Sequence, residues 1–321
     1  MNGDIHFELR GHAGVVTLDR QAALNAVTGA MIDALAEQLD VWEDDRRVAH
    51  VVIRAKGKAF SVGGDIRDLY ENRDDPDLGF FEREYRLNHR IKHYPKPYVA
   101  LVQGLVMGGG VGVSLHGSHV VAGPHMAFAM PEVGIGFFPD VGATYLLPRL
   151  GGTLGMELGL TGRRLDAAEC VGAGIARYRA DELEQVMTRL EGMDVASALH
   201  PFRAEAPPPK SDKGFGAGDV FAILNAVSAD AAALLRQKSP TSLLIAHEQL
   251  RGGAALSFAE AMRLEYRIVA RVLFGHDFYE GIRAQVVDKD REPRWKPPTL
   301  LEVDPAAIAR HFEPLERELA L

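Results

Sequence analysis

Two carboxylates, Glu132 and Asp140, lie eight residues apart in the apolar and glycine-rich stretch MPEVGIGFFPD, and each follows a proline. A carboxyl group buried among apolar neighbours keeps its proton to higher pH and can then act as a general base, acid or nucleophile near neutral pH. Two such groups close together would push their pKa values apart. A structural interpretation competes: Asp140 would cap the following helix, and Glu132 would pair with an arginine such as Arg149. Residue chemistry alone leaves both interpretations open.

Two glycine clusters, FSVGGDIRDLY (60–70) and VMGGGVGVSLHG (106–117), offer a second kind of chemistry. Each follows a predicted strand and precedes a predicted helix, so each presents unpaired backbone N–H groups with no side chain in the way. Two such groups that converge on one point form an oxyanion hole, which stabilises a carbonyl oxygen as it becomes negative. One cluster alone is weak support, because glycines also serve tight turns and close helix packing.

The sequence lacks the motifs of several other kinds of catalytic or binding site. The sequence contains no G-x-S-x-G nucleophile elbow, no dinucleotide G-x-G-x-x-G and no phosphate-binding G-x-x-x-x-G-K-[ST]. The spacing of His89, His93 and His116 matches no metal-binding pattern, so we expect no metal site. The single cysteine, Cys170, lies in a helical and apolar stretch that disfavours a thiol nucleophile.

The bulk composition narrows the class of protein. The chain has 321 residues, 47% of them hydrophobic, and a formal net charge of -8, which gives no basic footprint for nucleic acid or anionic lipid. Neither a nucleic-acid nor a membrane partner is expected. One cysteine cannot form an internal disulfide, and the first residues lack the basic start and apolar run of a secretory signal. These features predict a cytoplasmic location.

The elements that must position these residues follow an α/β pattern. GVVTLDR, VAHVVIRA and KPYVALVQG read as strands, and Ile32, Leu35, Leu39 and Trp42 recur at helical spacing. The stretch 200–219 is rich in proline, glycine and charge and is typical of a linker or surface loop. We therefore predict an α/β core over residues 1–199, this loop over 200–219, and a helical region over 220–321.

Helix starts are indicated by capping patterns in the second half of the chain. Thr153 precedes LGMELGL, and Asp304 precedes a proline at the start of a last helix. Paired capping boxes are predicted at three places: Asp166 with Glu169, Ser257 with Glu260, and Asp277 with Glu280.

Several motifs together resemble the crotonase (enoyl-CoA hydratase/isomerase) superfamily, and more narrowly its 3-hydroxyisobutyryl-CoA hydrolase branch. They are KAFSVGGDIRDLY, KPYVALVQGLVMGGGVGVSLHG and AFAMPEVGIGFFPDVGATYLLPRL, joined by FFEREYRLN and the C-terminal KSPTSLLIAHEQL, LEYRIVARVLFGHDFYEGIRA and DKDREPRWKP. The resemblance runs from about residue 10 to residue 300. It implies a spiral of ββα units followed by a helical C-terminal region, an acyl-CoA ligand, and no cofactor beyond the coenzyme A of the substrate.

The resemblance also implies roles for individual residues. Gly64 and Gly109 match the two backbone donors that hold the thioester oxygen, and Glu132 and Asp140 match the family's acidic pair. Glu84 matches a further acid that contacts the substrate. The remaining residues expected beside the CoA moiety are Phe60, Val62 and Asp65. For the CoA phosphates, the nearest basic run is Arg54, Lys56 and Lys58, although a solvated loop is an equally good interpretation.

One departure from the superfamily pattern bears on the reaction. Hydratases of the superfamily carry a glutamate where this chain has Gly112, and they add water with two glutamates, of which only Glu132 is present here. We therefore expect hydrolysis of a short β-hydroxyacyl-CoA thioester, most simply 3-hydroxyisobutyryl-CoA, in valine breakdown. The alternatives are enoyl-CoA isomerisation or hydration on the same fold, and a non-catalytic acyl-CoA binding protein. The resemblance further implies a homo-oligomer, either trimer or hexamer.

Overall fold

The computed structural model describes residues 3–321 and has the α/β architecture predicted from the sequence. In this part of the chain the strands form two sheets. The larger has the order β1-β2-β3-β5-β7-β10 and the smaller the order β4-β6-β8-β9. The strands are β1 Ile5–Arg10, β2 Ala13–Leu18, β3 His50–Ala55, β4 Ala59–Ser61, β5 Tyr98–Val102, β6 Leu105–Met107, β7 His119–Ala122, β8 Ala127–Ala129, β9 Leu165–Asp166 and β10 Tyr178–Arg179.

Helices connect these strands and make up the C-terminal third. They are α1 Gly29–Asp44, α2 Ile66–Glu71, α3 Leu78–Lys92, α4 Gly109–Gly112, α5 Ala143–Leu146, α6 Leu154–Thr161, α7 Ala167–Gly172, α8 Leu183–Gly192, α9 Val195–Leu199, α10 Val220–Ala226, α11 Ala229–Leu235, α12 Pro240–Gly253, α13 Phe258–Val272, α14 His276–Ile282 and α15 Pro305–Arg310. None of the described helices combines the length and apolar character needed to span a membrane.

The chain forms two compact units, each assembled from separated segments. The first runs through to Gly64 and includes Arg86–Ala129 and Arg164–Pro209; the second consists of Asp65–Tyr85, Met130–Arg163 and Lys210–Leu321. Both sheets belong to the first unit, and the helices from α10 onward belong to the second. The division by sequence into 1–199, 200–219 and 220–321 stays a prediction.

The first unit is built around the larger sheet. Its strands pair in parallel except at β1 and β2, and every residue of β2 and β5 is buried, as expected for strands covered on both faces. Helix α1 begins at the cap Thr28 and buries the four residues whose spacing predicted it, Ile32, Leu35, Leu39 and Trp42. The periodicity prediction for this helix is confirmed.

Two of the three predicted capping boxes are present. Asp166 and Glu169 close one at α7, and Ser257 and Glu260 close another at α13, each with both reciprocal hydrogen bonds. The side chain of Asp304 caps α15 through the Ala306 N–H, as predicted.

The third capping box is wrong, and the predicted cap Thr153 lacks its side-chain bond. Helix α14 begins at His276 after the cap Gly275, so Asp277 lies inside the helix, where its buried carboxylate accepts a hydrogen bond from Ser239 at 2.6 Å. Thr153 is the N-cap residue of α6, as predicted, but its side chain makes no capping bond, because its hydroxyl contacts Ser211 and the Asp212 carbonyl instead. In both cases a contact distant in sequence replaces the local one.

Helix α13 gives a test of the capping energy. Ser257→Ala removes both the side-chain acceptor for the Glu260 N–H and the hydroxyl partner of the Glu260 carboxylate. We expect the free energy of unfolding, measured by urea denaturation, to fall by about 1 kcal/mol. Thr188→Ala, an exposed mid-helix change in α8, is the control and should be near neutral because alanine favours helix. An equal loss in both variants would show that the box adds nothing.

Candidate active site

Glu132 and Asp140 are both buried in the second unit, at the two ends of the stretch that drew attention in the sequence. Glu132 opens a short 3-10 turn, Glu132–Ile135, and is 7% exposed, whereas Asp140 is 5% exposed. The intervening Phe137 and Phe138 are buried as well. The stretch thus holds both acids in the protein interior, where water stabilises their charged forms poorly.

Asp140 is held by a tyrosine from helix α3. The hydroxyl of Tyr85, a fully buried side chain, donates to Asp140 Oδ2 at 2.9 Å. Glu84 precedes it in the same helix and is 2% exposed. Sequence analysis identified Glu84 as a candidate and did not single out Tyr85, since periodicity does not distinguish a tyrosine that packs from one that also donates a hydrogen bond.

A fourth buried acid, Glu265 of α13, fixes the chain just after Asp140. Its carboxylate accepts the N–H groups of Gly142 at 2.8 Å and Thr144 at 2.9 Å. Between them and Asp140, Val141 adopts φ +50°, a strained conformation for a β-branched residue. Glu265 therefore holds the backbone that follows this strained residue.

Sequence analysis did not single out Glu265, although a signal was available. The residue falls between Met262 and Val269 at the spacing of the apolar face of α13, so it is an acid at a position predicted to be buried. An acid on an apolar helix face needs a partner or a function.

Burial raises the pKa of all four carboxyl groups. Burial is the main cause in each case; the charge of Asp140 adds to it for Glu84, Glu132 and Glu265. The pKa of Asp140 is raised to about 7, held down in part by the Tyr85 hydrogen bond, and that of Glu265 is raised to about 8. The pKa values of Glu84 and Glu132 lie well above their ordinary value. These acids titrate as a group rather than singly.

Two of these carboxyl groups each have one oxygen without a hydrogen-bond partner in the described structure. Glu84 Oε1 and Glu132 Oε2 are buried and have no hydrogen-bond partner among residues 3–321. The structural interpretation of Glu132 is wrong, because Arg149 donates to the carbonyl oxygens of Gly253 and Leu256. The capping interpretation of Asp140 is wrong too, since the N-cap residue of α5 is Gly142.

The two glycine turns lie side by side in the first unit. Gly63 adopts φ +112°, and a Cβ added to it would stand 3.6 Å from the Gly109 nitrogen. Gly109 is the first residue of α4, so its N–H has no acceptor within that helix. Gly64 pairs with Val27 through a bridge in which the Val27 N–H donates to Gly63 O. The two turns therefore lie close together; that the Gly64 and Gly109 N–H groups converge on one point stays a prediction.

The remaining predicted substrate-binding residues flank the first turn. Phe60 is fully buried in β4, the Val62 N–H donates to Leu24 O, and Asp65 is the residue before α2. Their contact with the CoA moiety stays a prediction.

The surroundings of Cys170 and of the basic run are accounted for by burial and by ion pairs. Burial raises the pKa of the Cys170 thiol to about 12, which keeps it protonated and unreactive. In the basic run, Arg54 pairs with Glu184 at 2.9 Å and Lys56 with Asp19 at 2.7 Å. Among the described residues, no group of three or more His, Cys, Asp or Glu side chains is arranged to hold a metal ion.

Comparison with known proteins identifies close relatives along the full chain. The sequence pattern of the enoyl-CoA hydratase/isomerase family matches residues 13–312. The mitochondrial 3-hydroxyisobutyryl-CoA hydrolase of Danio rerio is 41% identical over 350 residues, which covers 99% of this chain and 92% of the relative. The human enzyme of the same name is 38% identical over 343 residues, covering 97% of this chain and 89% of the relative.

Solved structures with the same fold carry other names. A carnitinyl-CoA dehydratase from Mycobacterium thermoresistibile superimposes with a TM-score of 0.93 and 36% identity, covering 99% of both chains. An enoyl-CoA hydratase from Rhodobacter sphaeroides 2.4.1 gives a TM-score of 0.91 and 37% identity, covering 99% of this chain and 100% of the other. The fold and the superfamily predicted from the motifs are confirmed.

The buried acids predict how stability depends on pH. Because the pKa of each is higher in the folded protein than the ~4 of an unfolded chain, their stabilising contribution is full below about pH 4. It is lost as pH rises through the folded values, about 7 for Asp140 and about 8 for Glu265. We expect the free energy of unfolding in urea to fall between about pH 5 and pH 8, and Glu84→Gln to reduce that fall.

The control for this measurement is Glu71→Gln, which changes an exposed acid in α2. It should give the wild-type profile. If Glu84→Gln also leaves the profile unchanged, Glu84 is not protonated by burial and the electrostatic account of the cluster is incorrect.

Proposed function

This chain belongs to the enoyl-CoA hydratase/isomerase family, and from that premise we propose that it hydrolyses 3-hydroxyisobutyryl-CoA to 3-hydroxyisobutyrate and coenzyme A. The observation that carries the proposal is the buried Glu132, with a raised pKa and an oxygen that no described residue engages. Relatives about 40% identical over nearly the whole chain bear the name of this hydrolase, which supports the choice of substrate.

In the proposed reaction, the N–H groups of Gly64 and Gly109 hold the thioester oxygen as it becomes negative. The Glu132 carboxylate then acts in one of two ways. As a general base it takes a proton from water, whose oxygen bonds to the acyl carbon; as a nucleophile it forms an anhydride that water later cleaves. In both routes the C–S bond breaks and the CoA thiolate takes up a proton. Asp140 orients the water or the substrate hydroxyl, with Glu84 assisting.

Hydration of a double bond is the second candidate, favoured by the names of the two solved structures described above. It would need a second glutamate, which the superfamily pattern puts at Gly112. In this protein a Cβ at Gly112 would stand 2.6 Å from the Asn88 amide nitrogen, so the space for such a side chain is already filled. This packing favours hydrolysis over hydration.

Three further proposals rest on the family resemblance: the reaction belongs to valine breakdown, the enzyme is a homo-oligomer, and it needs no cofactor beyond the CoA of its substrate. A fourth, that the enzyme acts in the cytoplasm, rests on its single cysteine. The curated relatives described above are named as mitochondrial, a location that concerns those animal proteins.

The direct test is release of CoA thiol from 3-hydroxyisobutyryl-CoA, followed with a thiol reagent and by loss of thioester absorbance. Glu132→Gln keeps the shape of the side chain but removes its basicity, so we expect kcat to fall by about 10²- to 10⁴-fold. Binding of CoA, measured by calorimetry, should stay at the wild-type level.

Glu248→Gln, which changes an exposed acid in α12, is the matched control and should turn over normally. Wild-type kcat in Glu132→Gln would contradict the mechanism. Loss of double-bond absorbance from an enoyl-CoA without thiol release would instead identify a hydratase.

Tyr85 gives a separate prediction about pH. Its hydroxyl stabilises the Asp140 carboxylate, so Tyr85→Phe should raise the pKa of that group. The rate of hydrolysis depends on ionised carboxylates, and its rise with pH should therefore move to higher pH in the variant. The measurement is kcat/KM across the pH range from about 5 to 9, with Tyr279→Phe in α14 as the control; an unshifted profile would exclude Asp140 from the rate-determining ionisation.

A further inference from the structure

Asn88 of α3 is a buried polar residue that the mechanism above does not use. Its side chain is fully buried and lies against Gly112 of α4, both in the first unit. A Cβ at Gly112 would stand 2.6 Å from Asn88 Nδ2 and 2.9 Å from Oδ1. The amide therefore occupies the position that a side chain of residue 112 would otherwise take.

The Asn88 amide is unsatisfied. It carries two N–H donors and a carbonyl oxygen with two lone pairs, yet neither Nδ2 nor Oδ1 has a hydrogen-bond partner in the part of the chain that the structure describes. Burying such a group without partners destabilises the free protein. A buried amide of this kind calls for a functional explanation, because native proteins rarely leave one unpaired.

Asn25, also in the first unit, shows what a structural asparagine looks like here. Its Nδ2 donates to Lys56 O at 2.8 Å and to Ala59 O at 2.9 Å, and its Oδ1 accepts the Arg20 N–H at 2.8 Å. Both asparagines are buried, but only Asn25 uses its amide to hold the fold. The contrast separates a structural amide from one whose hydrogen-bonding groups are unused.

Asn88 lies near the predicted oxyanion donor. Gly112 is three residues beyond Gly109 in α4, which is about 4.5 Å along a helix axis. That is roughly the span between the carbonyl oxygen and the hydroxyl of a 3-hydroxyacyl group. A hydroxyl both donates and accepts hydrogen bonds, as an amide does, so the two groups are complementary.

We infer that the Asn88 amide binds the 3-hydroxyl group of the acyl chain and makes the enzyme selective for hydroxyacyl thioesters; the inference rests on the proposed function. It assigns selectivity to a residue on a different element from the one that holds the superfamily's glutamate. Sites that hydrogen-bond a substrate hydroxyl reject the analogue without it strongly, because the buried partner is then left unpaired.

The test compares 3-hydroxyisobutyryl-CoA with isobutyryl-CoA, which differs only in lacking the hydroxyl. Wild-type enzyme should favour the hydroxylated thioester in kcat/KM. In Asn88→Leu, a change that keeps the number and branching of the side-chain heavy atoms and removes the polar ones, we expect this preference to fall by about tenfold or more. Tm should stay the same or rise, because an unpaired buried amide has been replaced by an apolar group.

Asn25→Ala is the contrasting variant. It should lower Tm, because three backbone groups lose their partner, while leaving the substrate preference unchanged. If Asn88→Leu does not fold, the smaller Asn88→Ala carries the same comparison of substrates.

Three results would overturn the inference: an unchanged preference in the Asn88 variants, an equal loss of kcat/KM on both thioesters, or a wild-type enzyme that turns over both without preference. Failure of the proposed function is distinct, since neither thioester would then release CoA in the wild type. In that case calorimetric binding of the two intact thioesters decides the matter. Tighter binding of the hydroxylated one, lost in Asn88→Leu, would support the inference, and equal binding would refute it.

Discussion

The burial of one cluster of carboxyl groups in the second unit, Glu84, Glu132, Asp140 and Glu265, is the constraint on which its chemistry depends. A protein interior stabilises a carboxylate less well than water does, so Glu84, Glu132, Asp140 and Glu265 keep their protons to higher pH than exposed acids. Each ionisation also opposes the next. The cluster can therefore contain a proton acceptor and a proton donor together near neutral pH, and hydrolysis of a thioester needs both.

The members of the cluster differ in how far the protein satisfies them. Glu265 accepts two backbone N–H groups and Asp140 accepts the Tyr85 hydroxyl, so both are held in fixed positions. Glu132, in contrast, keeps a buried oxygen without a partner among the described residues. Burying a polar group without a hydrogen-bond partner costs free energy, so an acid that remains in such a place calls for a functional explanation. Val141 beside Asp140 has a strained backbone, which fits the same view because such strain clusters at functional sites.

The sequence predicted the regular parts of this protein well and the long-range contacts poorly. Helix α1 followed from apolar spacing, and the boxes at α7 and α13 followed from local pairs of residues. Local signals failed where a distant partner competed, as when Ser239 engages Asp277 or Ser211 engages Thr153.

The candidate site shows the same division. Motifs identified Glu132, Asp140, Gly64 and Gly109, because those residues lie in recognisable stretches of sequence. Sequence analysis missed Tyr85 and Glu265, since their importance comes from distant contacts. Tyr85 contacts a residue 55 positions away, and Glu265 contacts residues more than 100 positions away. Periodicity assigns a residue to a buried face, but it does not say which distant polar group the side chain meets there.

The pair of Gly112 and Asn88 bears on which reaction this member of the family performs. Where a hydratase would place a second acid, this protein has a glycine whose side-chain space is filled by an amide from another helix. An amide donates and accepts hydrogen bonds, but it does not take up a proton near neutral pH. A group at that position can therefore recognise a substrate but cannot act as a base. On the proposed mechanism, proton transfer then falls to the buried acids of the second unit. One base suffices to activate water against a thioester, whereas hydration across a double bond draws on two.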